Sequence, residues 1–241
     1  MFHALAAAFG PFPVILERPV SRWRLARRRA RTLGLRTVAG QILFSAVAVP
    51  VLARRGRPRI AAIARKHGLD LSPVEPPPVA VASVNCEDAR AVLRRLDPRV
   101  VVVSGTRIIS RDTLACVPAP FINMHAGVAP QYRGVHGGYW ALAEGRPELA
   151  GTTVHLVDAG IDTGAILGQA TFRPGPGDSF ATYPYLHLAA GLPLLLSSVA
   201  ELLAGREPRP VAPISAVGRS CLRTHPTLWG YLGTRVRRSV R

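Results

Sequence analysis

A run of four consecutive valines at residues 100–103 constrains the fold of this chain more than any other feature of its sequence. Such a run has no polar alternation, which is typical of a strand that is buried on both faces of a parallel sheet. Other strand-like segments alternate with helical segments along the chain. We therefore predict an α/β protein with a doubly wound, mostly parallel sheet, in which ligands bind at the carboxyl ends of the strands.

The individual segments follow from hydrophobic periodicity and from the positions of glycine and proline. We predict strands at residues 13–16, 79–84, 100–103, 121–124, 152–157 and 165–172. We predict helices at residues 20–33, 37–53, 59–67, 86–96 and 180–203. Gly34 and Gly68 are expected to end two of these helices, and Asn85 is expected to cap the helix that follows it.

Charge is distributed unevenly along the 241 residues, which carry 31 basic and 14 acidic side chains and a net charge of +17. Residues 18–66 contain fourteen basic residues and no acidic one, and residues 205–241 contain eight basic residues and one acidic one. The part between them is slightly acidic. We interpret residues 1–204 as one globular domain with an arginine-rich helical insertion at about residues 19–68, followed by a basic C-terminal tail at residues 205–241.

Composition excludes several classes of protein. An apolar content of 48% is enough for a full-sized core, so the chain is not disordered. The three cysteines form neither a disulfide framework nor a zinc-ligand spacing, which favours a cytoplasmic protein without a bound metal. The first ten residues lack the basic start of a secretory signal.

Residues 37–53 form an uncharged, mostly apolar stretch with arginines on both sides. A membrane span needs about 20 apolar residues, so this stretch is short for one. Three interpretations stay open: packing on the core or on a second copy, lying on an anionic membrane, or crossing a membrane. Nucleic acid is a weaker candidate partner, because Trp23 and Phe44 are the only aromatic residues of the insertion available for base stacking.

Three side chains at predicted strand ends are suited to chemistry. Asn123 and His125 are two residues apart on one strand and point to the same face, and Asp162 lies in the turn after a later strand. No positioned serine or cysteine nucleophile accompanies them, so the set favours direct attack of an amine on a carbonyl carbon. The residues alone leave a second interpretation open, in which they only cap turns and satisfy a buried carbonyl.

Five segments here resemble the signature of the folate-dependent formyltransferases, which include the glycinamide ribonucleotide, methionyl-tRNA and amino-sugar enzymes. They are residues 123–125 (NMH), 130–134 (PQYRG), 140–145 (WALAEG), 151–155 (GTTVH) and 160–164 (GIDTG). The resemblance implies a Rossmann-like formyltransferase fold and 10-formyltetrahydrofolate as the formyl donor. It also implies that Asn123 and His125 hold the oxyanion, while Asp162 orients His125 and assists proton transfer.

The same resemblance implies contacts for both substrates. The implied contacts are Gly105, Arg107 and Ile108 for the pterin of the donor, and Arg133, His136 and Tyr139 for the amine acceptor. A solvated surface position is the alternative for Arg107. Trp140 is expected to belong to the core, and His155 is expected to be a structural residue of the sheet.

Three departures from the family pattern affect these expectations. Residues 126–130 read AGVAP where the family usually has a serine and then Leu-Leu-Pro, which bears on acceptor recognition. The chain opens with a helix-like segment at residues 2–9 where the family has a central strand, so two interpretations stay open: the true start lies upstream, or the expected sheet lacks its first strand. Residues 205–241 are too short and too basic for the tRNA-binding barrel of methionyl-tRNA formyltransferase.

We therefore expect formyl transfer to a small primary amine, with an amino sugar on a nucleotide as the favoured acceptor and peripheral contact with an anionic membrane as a further feature. The alternative is a noncatalytic, formyltransferase-like protein that binds nucleic acid or anionic lipid through its basic arm. The sequence does not predict the oligomeric state.

Overall fold

A computed structural model describes residues 1–75, 77–215, 220–238 and 240. Its strands are β1 (Ile15–Glu17), β2 (Val79–Val81), β3 (Val101–Val103), β4 (Phe121–His125), β5 (Tyr132–Gly134), β6 (Gly151–Leu156), β7 (Ile166–Thr171) and β8 (Cys221–Arg223). Its helices are α1 (Phe2–Phe9), α2 (Arg22–Leu33), α3 (Leu35–Leu43), α4 (Val49–His67), α5 (Glu87–Leu96), α6 (Arg111–Leu114), α7 (Gly137–Ala143), α8 (Tyr183–Leu203) and α9 (Leu228–Arg238). A π-helical segment, Phe44–Ala48, joins α3 to α4, and a short 3-10 helix lies at Pro147–Leu149.

The main sheet has four strands in the order β3-β4-β6-β7. The valine run forms β3, which pairs in parallel with β4, as predicted. β6 is antiparallel to β4, and β7 is antiparallel to β6, so the prediction of a mostly parallel sheet is wrong for this sheet. A parallel crossover needs a dozen or more residues, and residues 157–165 between β6 and β7 are too few for one.

β1 and β2 form a separate parallel pair. Within the described residues, β1 pairs only with β2 and β3 pairs only with β4. Residues of β1 and β3 line the same largely apolar cavity of about 570 Å³, together with one side of α1. In the part of the chain that the structure describes, no strand lies in this gap between the two sheets.

The arginine-rich segment is helical, as predicted, and forms α2, α3, the π-helical segment and α4. Gly34 follows the last residue of α2, and Gly68 ends α4 in the left-handed conformation that glycine adopts without strain. The segment is anchored through Phe44, which is fully buried in the core, and through Arg59, which makes two hydrogen bonds of 2.8 and 2.9 Å with the buried carboxylate of Asp178.

The predicted cap of α5 is wrong by one residue. Cys86 occupies the N-cap position, and no side chain there caps the helix. The Asn85 side chain instead accepts a hydrogen bond from the backbone N–H of Ser110 at 2.8 Å and donates one to the carbonyl of Ile108 at 2.9 Å. Asn85 therefore holds the loop after β3, because this loop offers its amide both a donor and an acceptor.

The C-terminal segment differs most from its prediction as a basic tail. β8 pairs in parallel with β5, and α9 packs against α3. Tyr231 of α9 is buried in the same core cluster as Phe44 and Tyr139. The described part of residues 205–241 is therefore integrated into the domain, because its apolar side chains complete a core that residues 1–204 leave open.

Within the described residues, two helices, Leu35–His67 and Tyr183–Leu203, are long and apolar enough to cross a membrane by length and composition alone. The second of these, α8, lies on the main sheet, where Leu195 and Val199 pack with Ile122 and Val154. It has the environment of a core helix.

Candidate active site

The predicted catalytic side chains lie at the carboxyl end of β4. Asn123 is paired in register with Val103 of β3 on one side and with His155 of β6 on the other. His125 is two residues further along β4 and opposite Thr153. The parallel pairing of β3 and β4 also places the loop after Val103 directly beside Asn123, as expected for ligand binding at strand ends.

His125 is buried, and both of its ring nitrogens are directed at protein atoms. Nε2 lies 2.6 Å from the carbonyl oxygen of Tyr132, which can only accept, so Nε2 carries a proton and donates it. Nδ1 lies 3.4 Å from Oδ2 of Asp162. Burial lowers the pKa of His125 more than the Asp162 charge and the Tyr132 carbonyl raise it. His125 is therefore neutral, with its proton on Nε2 and its lone pair on Nδ1.

The position of His125 against the backbone requires a glycine at residue 127. A Cβ atom on Gly127 would lie 2.3 Å from the Tyr132 carbonyl oxygen and 2.6 Å from Nε2 of His125. Only a residue without a side chain fits between the two partners of that hydrogen bond. Gly127 is part of the AGVAP segment that departs from the family pattern, and in this chain it lies directly against the imidazole of His125.

Asp162 lies between two imidazoles. Its Oδ2 accepts a hydrogen bond of 2.8 Å from the backbone N–H of Gly134, and its Oδ1 lies 3.6 Å from Nε2 of His155. Burial raises the pKa of Asp162, but the neighbouring imidazoles of His155 and His125 and the Gly134 N–H together outweigh burial, so the net pKa is lowered. Asp162 also has a positive φ of 51°, a conformation tolerated better by aspartate than by most residues. The carboxylate is ionised at neutral pH.

His155 was expected to be a structural sheet residue, yet the structure brings it into the cluster. Its Nδ1 donates to the Leu156 carbonyl oxygen over 2.7 Å, which leaves Nε2 as an acceptor. Nδ2 of Asn123 lies 3.2 Å from that Nε2 and donates to it. The signal in the sequence was the alternation within β6, which places His155 and Thr153 on one face, the same face of the sheet as Asn123 and His125.

The predicted donor loop, residues 104–109, follows β3 beside Asn123. Gly105 has a φ of 63°, and a Cβ atom there would meet no other group within 4 Å, so open space lies next to it. Ile108 has an exposed side chain. The Arg107 guanidinium instead forms an ion pair of 2.6 Å with Glu17, whose other oxygen accepts the Arg107 backbone N–H at 2.7 Å. Arg107 thus ties the loop to β1, an arrangement that neither of its predicted roles included.

The three predicted acceptor contacts lie in different environments. Arg133 is partly exposed, and its Nη1 donates to the Ile161 carbonyl oxygen over 3.3 Å, next to Asp162. His136 begins α7 and stacks on His225 at 4.6 Å between ring centroids; burial and that neighbour lower its pKa to about 3. Tyr139 is 1% exposed, so the structure places its side chain in the core and not at an open surface.

Tyr139 is buried because α7 turns it toward the aromatic side chains of Phe180 and Tyr231. Trp140, which was expected to be in the core, is only partly buried, and its indole N–H donates to the Thr224 carbonyl oxygen over 3.0 Å. Trp140 still packs against two clusters of the core, so it lies at the edge of the core as a partly buried residue. The segment after β8, which the sequence did not predict to fold, supplies the hydrogen-bond partner of Trp140.

Comparisons with known proteins identify the family of the chain. The family model described as "Formyl transferase" matches residues 44–184, which is more than half of the chain and includes the whole cluster. The chain therefore belongs to the formyl transferase family.

Two curated relatives are methionyl-tRNA formyltransferases. That of Anaeromyxobacter dehalogenans is 33% identical over 173 residues, covering 69% of this chain and 53% of the relative. That of Koribacter versatilis is 33% identical over 150 residues, covering 58% of this chain and 48% of the relative. The chain thus spans about half the length of the curated relatives that it matches.

A solved structure shows the same fold. It is an uncharacterised Mycobacterium tuberculosis protein thought to be a sugar N-formyltransferase, which matches with a TM-score of 0.51 and 17% identity, over 74% of this chain and 81% of that protein.

Proposed function

We propose that this protein transfers a formyl group from a 10-formyltetrahydrofolate-type donor to a primary amine. The observation that carries the proposal is the ionised Asp162, held between two buried imidazoles next to the Asn123 amide at the ends of adjacent strands. Membership of the formyl transferase family supports it. When bound, the donor supplies a formyl group whose carbonyl carbon an amine can attack.

The residues after β3 fit such a donor. Gly105 has open space around it, and Ile108 presents an exposed apolar side chain. The loop is fixed by the hydrogen bonds of Asn85 and by the ion pair between Arg107 and Glu17. A flat, partly polar ring is recognised by exposed backbone groups and an apolar contact, and a loop fixed on its far side presents both without rearrangement. We infer that Gly105 and Ile108 contact the donor, while Arg107 positions the loop.

Asn123 is the group placed to polarise the formyl oxygen. One hydrogen of its amide is donated to Nε2 of His155, which fixes the orientation of the amide. The second hydrogen is left for the oxygen on which negative charge develops during attack. His155 thus acts through Asn123. His125 has a different part from the one expected, because its only N–H is already donated to the Tyr132 carbonyl.

The proton transfers that the reaction requires indicate the roles of His125 and Asp162. The attacking amine must lose a proton, and the nitrogen that releases the formyl group must gain one. The lone pair of His125 at Nδ1 faces the Asp162 carboxylate at 3.4 Å, so a proton delivered to this pair is shared between a base and an anion. The pair accepts the proton from the amine, through a water molecule if needed, and returns it to the leaving nitrogen.

For the acceptor we propose a primary amine on a phosphorylated small molecule, with an amino sugar on a nucleotide as the first choice. Arg133 supports this choice. It lies beside Asp162, its Nη1 donates to the Ile161 carbonyl oxygen, and its Nε atom has no hydrogen-bond partner among the described residues. A guanidinium without a carboxylate partner at the edge of a site is suited to a phosphate. Proteins similar to this chain are named as a methionyl-tRNA formyltransferase and a glycinamide ribonucleotide transformylase, so these two acceptors are tested beside the amino sugar.

The experiment is a formyl-transfer assay with 10-formyltetrahydrofolate and those three kinds of acceptor. Wild-type protein is expected to formylate the nucleotide-linked amino sugar, and Asp162→Asn is expected to lower the rate by about 10²- to 10⁴-fold with the fold retained. Asp112→Asn, an exposed aspartate on α6, removes the same charge and is the matched control.

The outcomes separate the steps of this proposal. Transfer to methionyl-tRNA alone would contradict the proposed acceptor and support the proposed reaction. Full activity of Asp162→Asn would overturn the proton assignment. If wild type transfers nothing and no folate raises its melting temperature, the noncatalytic alternative becomes the better interpretation.

A further inference from the structure

The continuous helix formed by α3, the π-helical segment and α4 has one side that no described residue covers. Exposed apolar side chains recur on it at intervals of three and four residues, which places them on one face. We call this face the apolar stripe; its members are Leu35, Ala39, Ile42, Leu43, Ala46, Val47, Pro50 and Val51. At about 1.5 Å per residue the stripe is about 24 Å long. Its five large side chains, those of Leu35, Ile42, Leu43, Val47 and Val51, are 45–79% exposed.

The opposite side of the same helix is packed on the domain. Val38, Phe44 and Leu52 are buried, and Nε2 of Gln41 donates to the His225 carbonyl oxygen over 2.8 Å. A Cβ atom on Gly40 would lie 2.5 Å from the Trp229 ring, so α9 also lies close against this side. The helix therefore cannot be surrounded by lipid without breaking those contacts, and it lies on the protein with the apolar stripe outward.

Arginines surround the apolar stripe. At its beginning, α2 has six arginines and no buried residue, and Trp23 there is 76% exposed. Arg36 follows at the start of α3, and Arg54, Arg55 and Arg57 lie just beyond the other end of the stripe, all exposed. We call these ten arginines the arginine rim. None of them forms an ion pair with an acidic side chain in the described part of the chain, and residues 18–66 contain no acid.

α9, which packs against the other side of this helix, has exposed apolar residues and arginines of its own. Its exposed apolar residues, Trp229, Leu232 and Val236, recur at intervals of three and four, and three arginines lie in its last turn. The guanidinium of Arg36 lies 5.9 Å from the centre of the Trp229 ring, which joins α9 to the beginning of the stripe.

We propose that the apolar stripe and the arginine rim bind an anionic lipid bilayer, with the helix lying in the plane of the membrane surface. An exposed apolar face bordered by unpaired arginines has the charge and the apolar surface that such an interface attracts. A second copy of this chain is disfavoured as the occupant, because a symmetric interface would bring two arginine rims together. Nucleic acid would neutralise the rim and leave the stripe in water. The proposal is independent of the proposed reaction.

The test is co-sedimentation of the full chain with vesicles. Binding is expected to vesicles of equal parts phosphatidylcholine and phosphatidylserine at low salt, to be weak on phosphatidylcholine alone, and to fall as salt rises. Replacing Arg24, Arg27 and Arg28 by glutamine is expected to weaken binding about a hundredfold, at roughly fivefold per basic residue. The control replaces Arg95, Arg111 and Arg209, which are equally exposed and lie outside the rim.

A second pair of variants tests the stripe itself. The double variant Ile42→Glu with Val47→Glu is expected to abolish most vesicle binding. The control is Leu71→Glu with Val211→Glu, which adds the same charge outside the stripe. The exposed fractions are similar, at 48% and 47% for the control residues and 53% for each stripe residue. Equal loss in both pairs would overturn the role of the stripe.

The other occupants are distinguished in the same experiments. Failure of wild type to bind anionic vesicles at low salt would overturn the proposal. A dimer in sedimentation equilibrium that only the stripe variant abolishes, with no vesicle binding by wild type, would also overturn it. So would binding of duplex RNA that is tighter than vesicle binding and that the stripe variant leaves unchanged.

Discussion

Gly127→Ala tests the position of His125 more directly than any substitution of the histidine itself. The added Cβ atom would lie 2.3 Å from the Tyr132 carbonyl oxygen and 2.6 Å from Nε2 of His125, and a third contact, with the Gly137 Cα atom, lies at 3.2 Å. Two of these three atoms belong to the backbone, so relief requires the chain to move by about 1 Å. Overpacking of this kind costs about 1–3 kcal/mol.

The expected result is a fall in melting temperature of about 2–12 °C, because 1 kcal/mol corresponds to about 2–4 °C for a domain of this size. Formyl transfer, assayed below that temperature, is expected to fall about 10²-fold because the imidazole is displaced from Asp162. Gly68→Ala is the matched control: its φ of 61° makes alanine strained, but nothing lies within 4 Å of the new atom. It should lower the melting temperature and leave the transfer rate unchanged. A Gly127→Ala protein with wild-type stability and rate would refute the placement of His125.

Burial lowers the pKa of His187 to about 3, so the folded state stays neutral while the unfolded chain takes up a proton below about 6.5. Urea unfolding should therefore show a loss of about 2 kcal/mol between pH 7 and pH 5 that is absent in His187→Gln; an unchanged loss would contradict the burial of a neutral imidazole. Arg59→Gln should lower the free energy of unfolding by about 3 kcal/mol, because it leaves the buried Asp178 carboxylate without its cation, and Arg57→Gln should have little effect. His155→Ala should reduce kcat more than it changes KM, with partial recovery in His155→Gln, whose amide oxygen can accept from Asn123; equal kcat in all three proteins would show that Asn123 does not depend on His155.

Local patterns predicted the individual elements better than the way in which they pair. Residue type alone predicts three of them. These are the strand at the valine run, the end of α2 before Gly34 and the left-handed conformation of Gly68. Strand direction does not, because it depends on the length and path of a connection. Residues 157–165 are too few for a parallel crossover, so β7 returns antiparallel, and this could have been inferred from the spacing alone.

The site was predictable where one strand carries it and less so where contacts cross the chain. Asn123 and His125 are two residues apart, and alternation puts them on one face. His155 joins them only through the register of β6 on β4. The environments of Tyr139 and Trp140 depend on residues 224–231, more than eighty positions away in sequence. No local pattern indicates such a distant partner.

The integration of the C-terminal segment also bears on the chemistry of Asp162. Gly134 donates its N–H to the Asp162 carboxylate, and the same residue pairs with Arg223 at the end of β8. Its φ of 92° and the 2.4 Å that would separate a Cβ atom from the Arg223 carbonyl oxygen show that only glycine can meet both neighbours. One of the hydrogen bonds that lower the pKa of the Asp162 carboxylate is therefore set by strand pairing with a part of the chain that lies outside the matched residues 44–184. β8 thus supports, through Gly134, the carboxylate that the proposed proton step uses.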